Sequence, residues 1–348
     1  MTDVYPAGFD WVPDWDLRDD ERLPWYHDLS SVLRAGPVEK TLQLEYDAEV
    51  VRRALDALRA DDPRPLLLVV SFTHPHDPYE VPAEYWERYD GVEIDPPRFP
   101  EPVDDASTRR MRAMVEAERI PASDEQVLAA RRGYYGAISM VDDHIGSILD
   151  ALRGDTVVVV SSDHGDMLGE RGLWYKMAPF DGSIQVPLIV RAPQLAARRV
   201  THPVSLLDLG STLLELAGGT EPSIVNDARD VALEYLAEGV RSPQVTLIRG
   251  TRKLVRTLGE PDLVFDVETD PGERANLGRD DELSAAVDAR WDLEALDAEV
   301  RRSQQRRRLV ARALATGRIA KWDHPEGDGR YIDTGDDFWS TLERARKP

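Results

Sequence analysis

The run Val157-Val-Val-Val160, followed at once by Ser161-Ser-Asp-His-Gly165, constrains this chain more than any other stretch. Unbroken β-branched residues without polar alternation predict a strand covered on both faces in a parallel α/β sheet. The polar cluster then falls at the strand's carboxyl end, where open α/β sheets hold their ligands. A carboxylate and an imidazole side by side can share one cation, and Gly165 lets the backbone turn tightly beside them. The same three residues, Asp-His-Gly, also make an ordinary strand-to-loop turn.

A second apolar run, Leu66–Phe72, repeats the pattern and ends in Thr73-His-Pro-His-Asp-Pro-Tyr79. It reads as another buried strand of the same parallel type. Its two histidines flank a proline that fixes its own φ and restricts the residue before it. Between these runs, residues 45–60 read as an amphipathic helix ended near Pro63, and residues 90–122 as a long irregular excursion. The capping box Ser123-Asp-Glu-Gln126 opens a strong helix with Val127, Ala130, Tyr134, Ile138, Val141 and Ile145 at three- and four-residue steps. Asp142, Asp143 and His144 fit its spacing, which favours a solvated or packing role over catalysis. After Lys176 come a strand at Val186–Arg191 and a helix from Ser205 with a stop at Gly218. Short strands follow at 244–249, 253–256 and 263–267, then a long charged helix over about 281–316. The Trp-rich residues 1–40 read as an extended surface segment.

Composition narrows the partners. A formal charge of -22 argues against nucleic acid and anionic membranes, both of which need basic surface. Acidic residues and Arg in excess over Lys fit either a salt-adapted surface or a coding bias. With no cysteine there is no disulfide, thiolate metal site or thiol nucleophile in these 348 residues. No run approaches the roughly 18 apolar residues of a membrane span, and Met1-Thr-Asp-Val-Tyr-Pro6 lacks the pattern of a signal peptide. A cytoplasmic protein is therefore expected.

The longer string Ser161-Ser-Asp-His-Gly-Asp-Met-Leu-Gly-Glu-Arg-Gly-Leu-Trp-Tyr-Lys176 resembles a signature of the sulfatases, in the alkaline-phosphatase superfamily, most closely that of choline-sulfatases. Ser71-Phe-Thr-His-Pro-His-Asp-Pro-Tyr79, Asp3–Trp15 and Phe265–Leu277 resemble further stretches of the same family. The resemblance implies an α/β fold, a mixed sheet sandwiched by helices with a small C-terminal α+β subdomain. It divides the chain into 1–218 (catalytic α/β part), 219–280 (antiparallel sheet) and 281–348 (long helix and oligomerisation tail). It implies a sulfuric ester hydrolase acting on choline sulfate. Asp163 and His164 would be ligands of a divalent metal, with Ca²⁺ expected, and Lys176 a sulfate-binding cation. His76 would contact the sulfate or the leaving oxygen, and His74 is a weaker candidate for the same pocket. In choline-sulfatases the tail reaches a neighbouring subunit's site, which makes Asp337 and Glu234 candidate carboxylates for the quaternary ammonium and implies a homo-oligomer. A permanent cation without hydrogen-bond donors is best held by ring faces and carboxylates.

The family's early Asp-Asp pair with a Cys-x-Pro-Ser-Arg motif downstream, whose Cys or Ser becomes the formylglycine nucleophile, is not found in this sequence. The expectation is a chain lacking the N-terminal third, truncated or split, inactive alone and needing an N-terminal sulfatase fragment as partner. Two other readings stand beside it: a related phosphoesterase of the same superfamily, and a non-catalytic sulfatase-like subunit.

Overall fold

A computed structural model describes Trp15 and residues 28–219, 229–237 and 239–315. In chain order the first half holds α1 (Ser30–Leu33), β1 (Gly36–Pro37), α2 (Leu42–Arg59), β2 (Glu80–Val81), α3 (Ala83–Glu87), α4 (Ala106–Met114) and α5 (Asp124–Leu149). The second half holds β3 (Val158–Ser161), α6 (Asp181–Ile184), β4 (Leu188–Arg191), α7 (Leu209–Leu216), β5 (Val231–Tyr235), β6 (Gln244–Arg249), β7 (Arg252–Thr257), β8 (Leu263–Asp266), α8 (Asp281–Arg290) and α9 (Leu293–Ala315).

α5 is the axis of the first half. Ser123 and Gln126 close the capping box that their spacing predicts. Gly133 and Gly136 then open notches in the helix surface. A Cβ on Gly133 would stand 2.2 Å from the Tyr79 carbonyl oxygen, and one on Gly136 3.1 Å from that of Tyr85. Residues 79–85 can therefore lie against the helix backbone, where Val81 and Tyr85 pack on Ala137 and Met140. β2 pairs in parallel with β1. A larger core gathers Tyr79, Met167, Leu173, Trp174, Phe180 and Phe265, joining both halves of the chain.

The C-terminal strands form one antiparallel sheet in the order β5-β6-β7-β8. Arg249 lies opposite Arg252, and the two residues between them, with Gly250 at φ 59°, make the tight turn. Leu283 and Val287 of α8 and Leu293 of α9 pack on Val245, Leu247, Leu254 and Val264.

Four details differ from the sequence expectations. The long helix predicted over 281–316 is broken between α8 and α9. Trp291 is extended, and the Asp292 carboxylate accepts from the Ala295 amide at 2.9 Å, starting a second helix. The irregular excursion at 90–122 contains α4, capped by Asp105. β3 is half-buried and pairs antiparallel with β4, Val158 opposite Arg191 and Ser161 opposite Leu188, rather than sitting in a parallel sheet. Leu66–Phe72 is not a ladder strand at all, and Leu66, Leu67 and Val69 are 60%, 75% and 81% exposed. An apolar run says that both faces suit cover, but burial needs a neighbour, and no strand among the described residues pairs with this segment. Among the described residues no helix is long and apolar enough to cross a membrane.

The exposure of the Leu66–Phe72 segment sets an expected outcome for substitution. Leu67→Gln and Val69→Thr should each change stability in urea by less than about 0.5 kcal/mol, as at other surface sites. Losses of several kcal/mol, the size seen for core truncations, would place the segment in a core instead.

Candidate active site

Two loops, anchored separately, meet at the site. The first follows residue 72 and is held by a carboxylate from α2. Asp47, fully buried, accepts from the Thr73 amide at 2.7 Å, the Thr73 hydroxyl at 2.9 Å and the His74 amide at 3.0 Å. Its Oδ2 also lies 2.6 Å from His74 Nδ1. Burial pushes the Asp47 carboxyl up, but the hydrogen bonds from His74 and Thr73 outweigh it, so the net position is below the ordinary value. His74 is thus an interior residue turned to Asp47. His76, two residues on, is part-exposed. Its Nδ1 lies 3.0 Å from the Asp77 carbonyl and 3.1 Å from the Asp77 carboxylate. With Nδ1–H donating there, Nε2 is left facing the Lys176 ammonium at 3.4 Å. The Asp77 hydrogen bond outweighs desolvation and the nearby Lys176, and raises the His76 pKa above its ordinary 6.5.

The second loop runs from β3 to α6. The His164 Nδ1–H donates to the Gly165 carbonyl at 2.9 Å, which directs Nε2 outward. Burial, and then Lys176, hold this imidazole below its ordinary pKa and so in the neutral form, despite the Gly165 bond. His76 and His164 stand edge to face, ring centroids 6.4 Å apart. Further along, the buried Asp166 accepts from the Leu168 and Tyr175 amides at 2.9 and 3.0 Å and from the Tyr79 hydroxyl at 2.7 Å. Burial pushes its carboxyl up to about 6. This carboxylate ties the 73–79 segment to the loop that carries Lys176.

The structure therefore brings His76, His164 and Lys176 together, with Asp163 beside His164. Asp163 Oδ2 is 3.6 Å from His164 Nε2, and its side chain is 86% exposed. A neutral imidazole oriented through Nδ1 and an exposed carboxylate are the right donor types for a divalent cation. They are too few: among the described residues no group of three or more His, Cys, Asp or Glu side chains could hold a metal. The residues present do not complete a metal site by themselves. Glu234, on β5, accepts from the Trp291 indole at 2.7 Å. It shares with Asp163, His164 and Lys176 the walls of a cleft of about 1920 Å³. Asp337 lies outside the described residues. Sequence reasoning missed Asp47, Asp77 and Asp166 as anchors; Asp77, inside the His-Pro-His-Asp motif, and Asp166, inside the 161–176 string, carried a local signal, and Asp47 did not.

Known proteins resemble this chain in sequence and in fold. The sequence profile of the Sulfatase family matches residues 1–219, and one described as the C terminal of the choline sulfatase enzyme matches residues 298–344. The chain is 38% identical to a choline-sulfatase of Rhizobium meliloti (strain 1021), over 99% of this chain and 76% of that one. It is 31% identical to the uncharacterized sulfatase YidJ of Escherichia coli (strain K12), over 75% of this chain and 57% of the relative. It thus spans between about half and three quarters of the length of these relatives. Among solved structures, a phosphonate monoester hydrolase from Silicibacter pomeroyi superposes with TM-score 0.58 at 22% identity, covering 82% of this chain and 67% of that one. A putative sulfatase from Bacteroides thetaiotaomicron gives TM-score 0.56 at 23% identity, covering 78% and 67%. The fold is the mixed α/β fold that these two solved structures share. The chain belongs to the sulfatase family, a family of sulfuric ester hydrolases.

The anchoring of the first loop predicts a pH effect. Asp47→Ala should destabilise the chain by about 3–5 kcal/mol in urea at neutral pH, because it leaves the partners of a buried carboxylate unpaired. Asp47 has a folded pKa below the ordinary 3.8, so its contribution is fully present above that value and drains as pH falls through the folded pKa. The parent should therefore lose stability below about pH 4 more steeply than Asp47→Ala. Parallel pH profiles for the two proteins would remove Asp47 from this role.

Proposed function

We propose that this chain supplies the sulfuryl-binding side of a choline-sulfatase-type hydrolase, which cleaves choline sulfate to choline and sulfate. The observation that carries the reading is the 3.4 Å approach of Lys176 Nζ to His76 Nε2 beside His164. When His76 is protonated, an ammonium and an imidazolium N–H point into one space, a place for the oxygens of a sulfate ester. Charge that grows on those oxygens as the S–O bond breaks is met by donors already in position, usually the largest contribution to such catalysis. His76, its other nitrogen held by Asp77, is placed to give its Nε2 proton to the departing alkoxide.

The attacking group is proposed to lie on a separate N-terminal sulfatase segment, as formylglycine, since this sequence has no cysteine and no Ser-x-Pro-x-Arg. Asp163 and His164 would be this chain's share of a metal site, with calcium the expected ion and the other donors on that segment. His74 is assigned to shaping the pocket through Asp47. Glu234 and, from a neighbouring copy in a homo-oligomer, Asp337 would face the quaternary ammonium.

In enzyme reconstituted with the N-terminal segment, Lys176→Ala should slow choline sulfate cleavage by about a hundredfold, the effect of removing one preorganised donor. Near-normal turnover would return Lys176 to an ordinary loop residue. The 348-residue chain alone should show no turnover of choline sulfate, for want of an activated nucleophile. Calorimetry with Ca²⁺ should give weak binding at most, because two donors fall short of the roughly 6–8 oxygens this ion takes. Sub-micromolar affinity would contradict the donor count.

A further inference from the structure

Lys253 lies on β7, in the C-terminal sheet, yet it is fully buried. Its ammonium bonds to Glu273 Oε1 at 2.6 Å and to the Asp181 carboxylate, with the Pro179 carbonyl at 3.4 Å. Glu273 is also buried, and it sits in the turn beyond β8 at φ 51°. Its second oxygen accepts from the Asp181 amide at 2.7 Å. The two groups thus grip the start of α6 from the side chain and the backbone at once.

α6 in turn holds the site loop. The Ser183 hydroxyl donates to the Lys176 carbonyl, and the Ser183 carbonyl accepts from the Gly165 amide at 2.7 Å. Gly165 approaches so closely that a Cβ there would stand 2.3 Å from the Gly182 carbonyl oxygen. Arg171 adds a second tie between the same parts: it bonds to the Gly272 and Glu273 carbonyls and to Asp105, with its guanidinium 3.8 Å over the Phe180 ring.

We propose that Lys253 and Glu273, acting through Asp181 and Ser183, are positioning residues that set Lys176 and His164 against His76. Neither touches the substrate. The C-terminal sheet is then part of the anion site's scaffold, since the register of β7 and the turn after β8 determine where α6 begins. The oxygens on this buried ammonium come from two separate segments, so the contact fixes how α6 meets the sheet. This inference rests on the proposed role of Lys176 in binding the sulfuryl group.

The test compares the 348-residue chain with Lys253→Met/Glu273→Leu, which removes the two fully buried charges together and leaves only the Asp181 carboxylate, 24% exposed, without its cation. The readouts are amide hydrogen exchange along the chain and the affinity for inorganic sulfate. Exchange at 165–184 should quicken while the β5-β8 sheet and α5 stay as protected as in the parent. Sulfate binding should weaken about tenfold, the scale of loss when a group that orients a binding residue is removed. Glu273→Gln, which keeps the shape and one acceptor, should change both in the same direction but by less. It also decides the matter if the double variant does not fold: faster exchange confined to 165–184 supports the proposal. Uniform acceleration throughout, or none anywhere, overturns it. Lys176→Ala separates the two ideas. If it binds sulfate as the parent does, the functional reading fails, while the exchange data still judge the positioning.

Discussion

A buried ammonium group holds its place only if oxygens converge on it from more than one part of the chain, and Lys253 is where this molecule meets that condition. Its partners come from the segment before α6 and from the turn after β8. Desolvation raises the Glu273 carboxyl, while the nearby ammonium opposes the rise. Loss of either leaves the other buried and unpaired, a far larger cost than losing an exposed ion pair. The β3–α6 loop is consequently the segment least free to move independently of the C-terminal sheet.

The two site loops are anchored by opposite means. The 73–79 loop hangs from a carboxylate, Asp47, that collects donors from consecutive residues. The 163–184 loop hangs from a cation, Lys253, that collects acceptors. Asp166 joins them through the Tyr79 hydroxyl. Where they meet, His76 lies against the Lys176 ammonium with the exposed Asp163 nearby, a local positive charge in a chain of formal charge -22. Such a contrast concentrates an anion at one place while the rest of the surface repels it.

What the sequence reveals follows from the range of each interaction. The α5 capping box, the β6–β8 strands and the cluster at 163–176 are written in neighbouring residues and were legible there, while β5 was not. So was the joining of His76 to Lys176, though through resemblance to a family rather than through spacing. Asp292 could have been seen as a cap, but the apolar period running through Trp291 masked the break between α8 and α9. Asp105 ahead of α4 was hidden in the same way by the prolines before it. Asp47, Lys253 and Glu273 had no local signature at all. Their partners lie 20 to 92 residues away, and a charged residue in a helix or strand ordinarily reads as a solvated one.

Leu66–Phe72 shows the opposite failure, a pattern read correctly as apolar and wrongly as covered. An extended segment with exposed Leu67 and Val69 and no ladder partner among the described residues is poorly satisfied in water. Its carboxyl end leads directly into Thr73 and His74, where Asp47 takes hold, and β3 likewise leads into Asp163 and His164. Both site loops therefore begin where these two apolar segments end. Anything that packed across the two segments would fix their spacing, and through it the distance between His76 and His164. The site's geometry is thus held from behind the second loop by Lys253 and Glu273, while the first loop relies on Asp47 to fix the end of an exposed apolar segment.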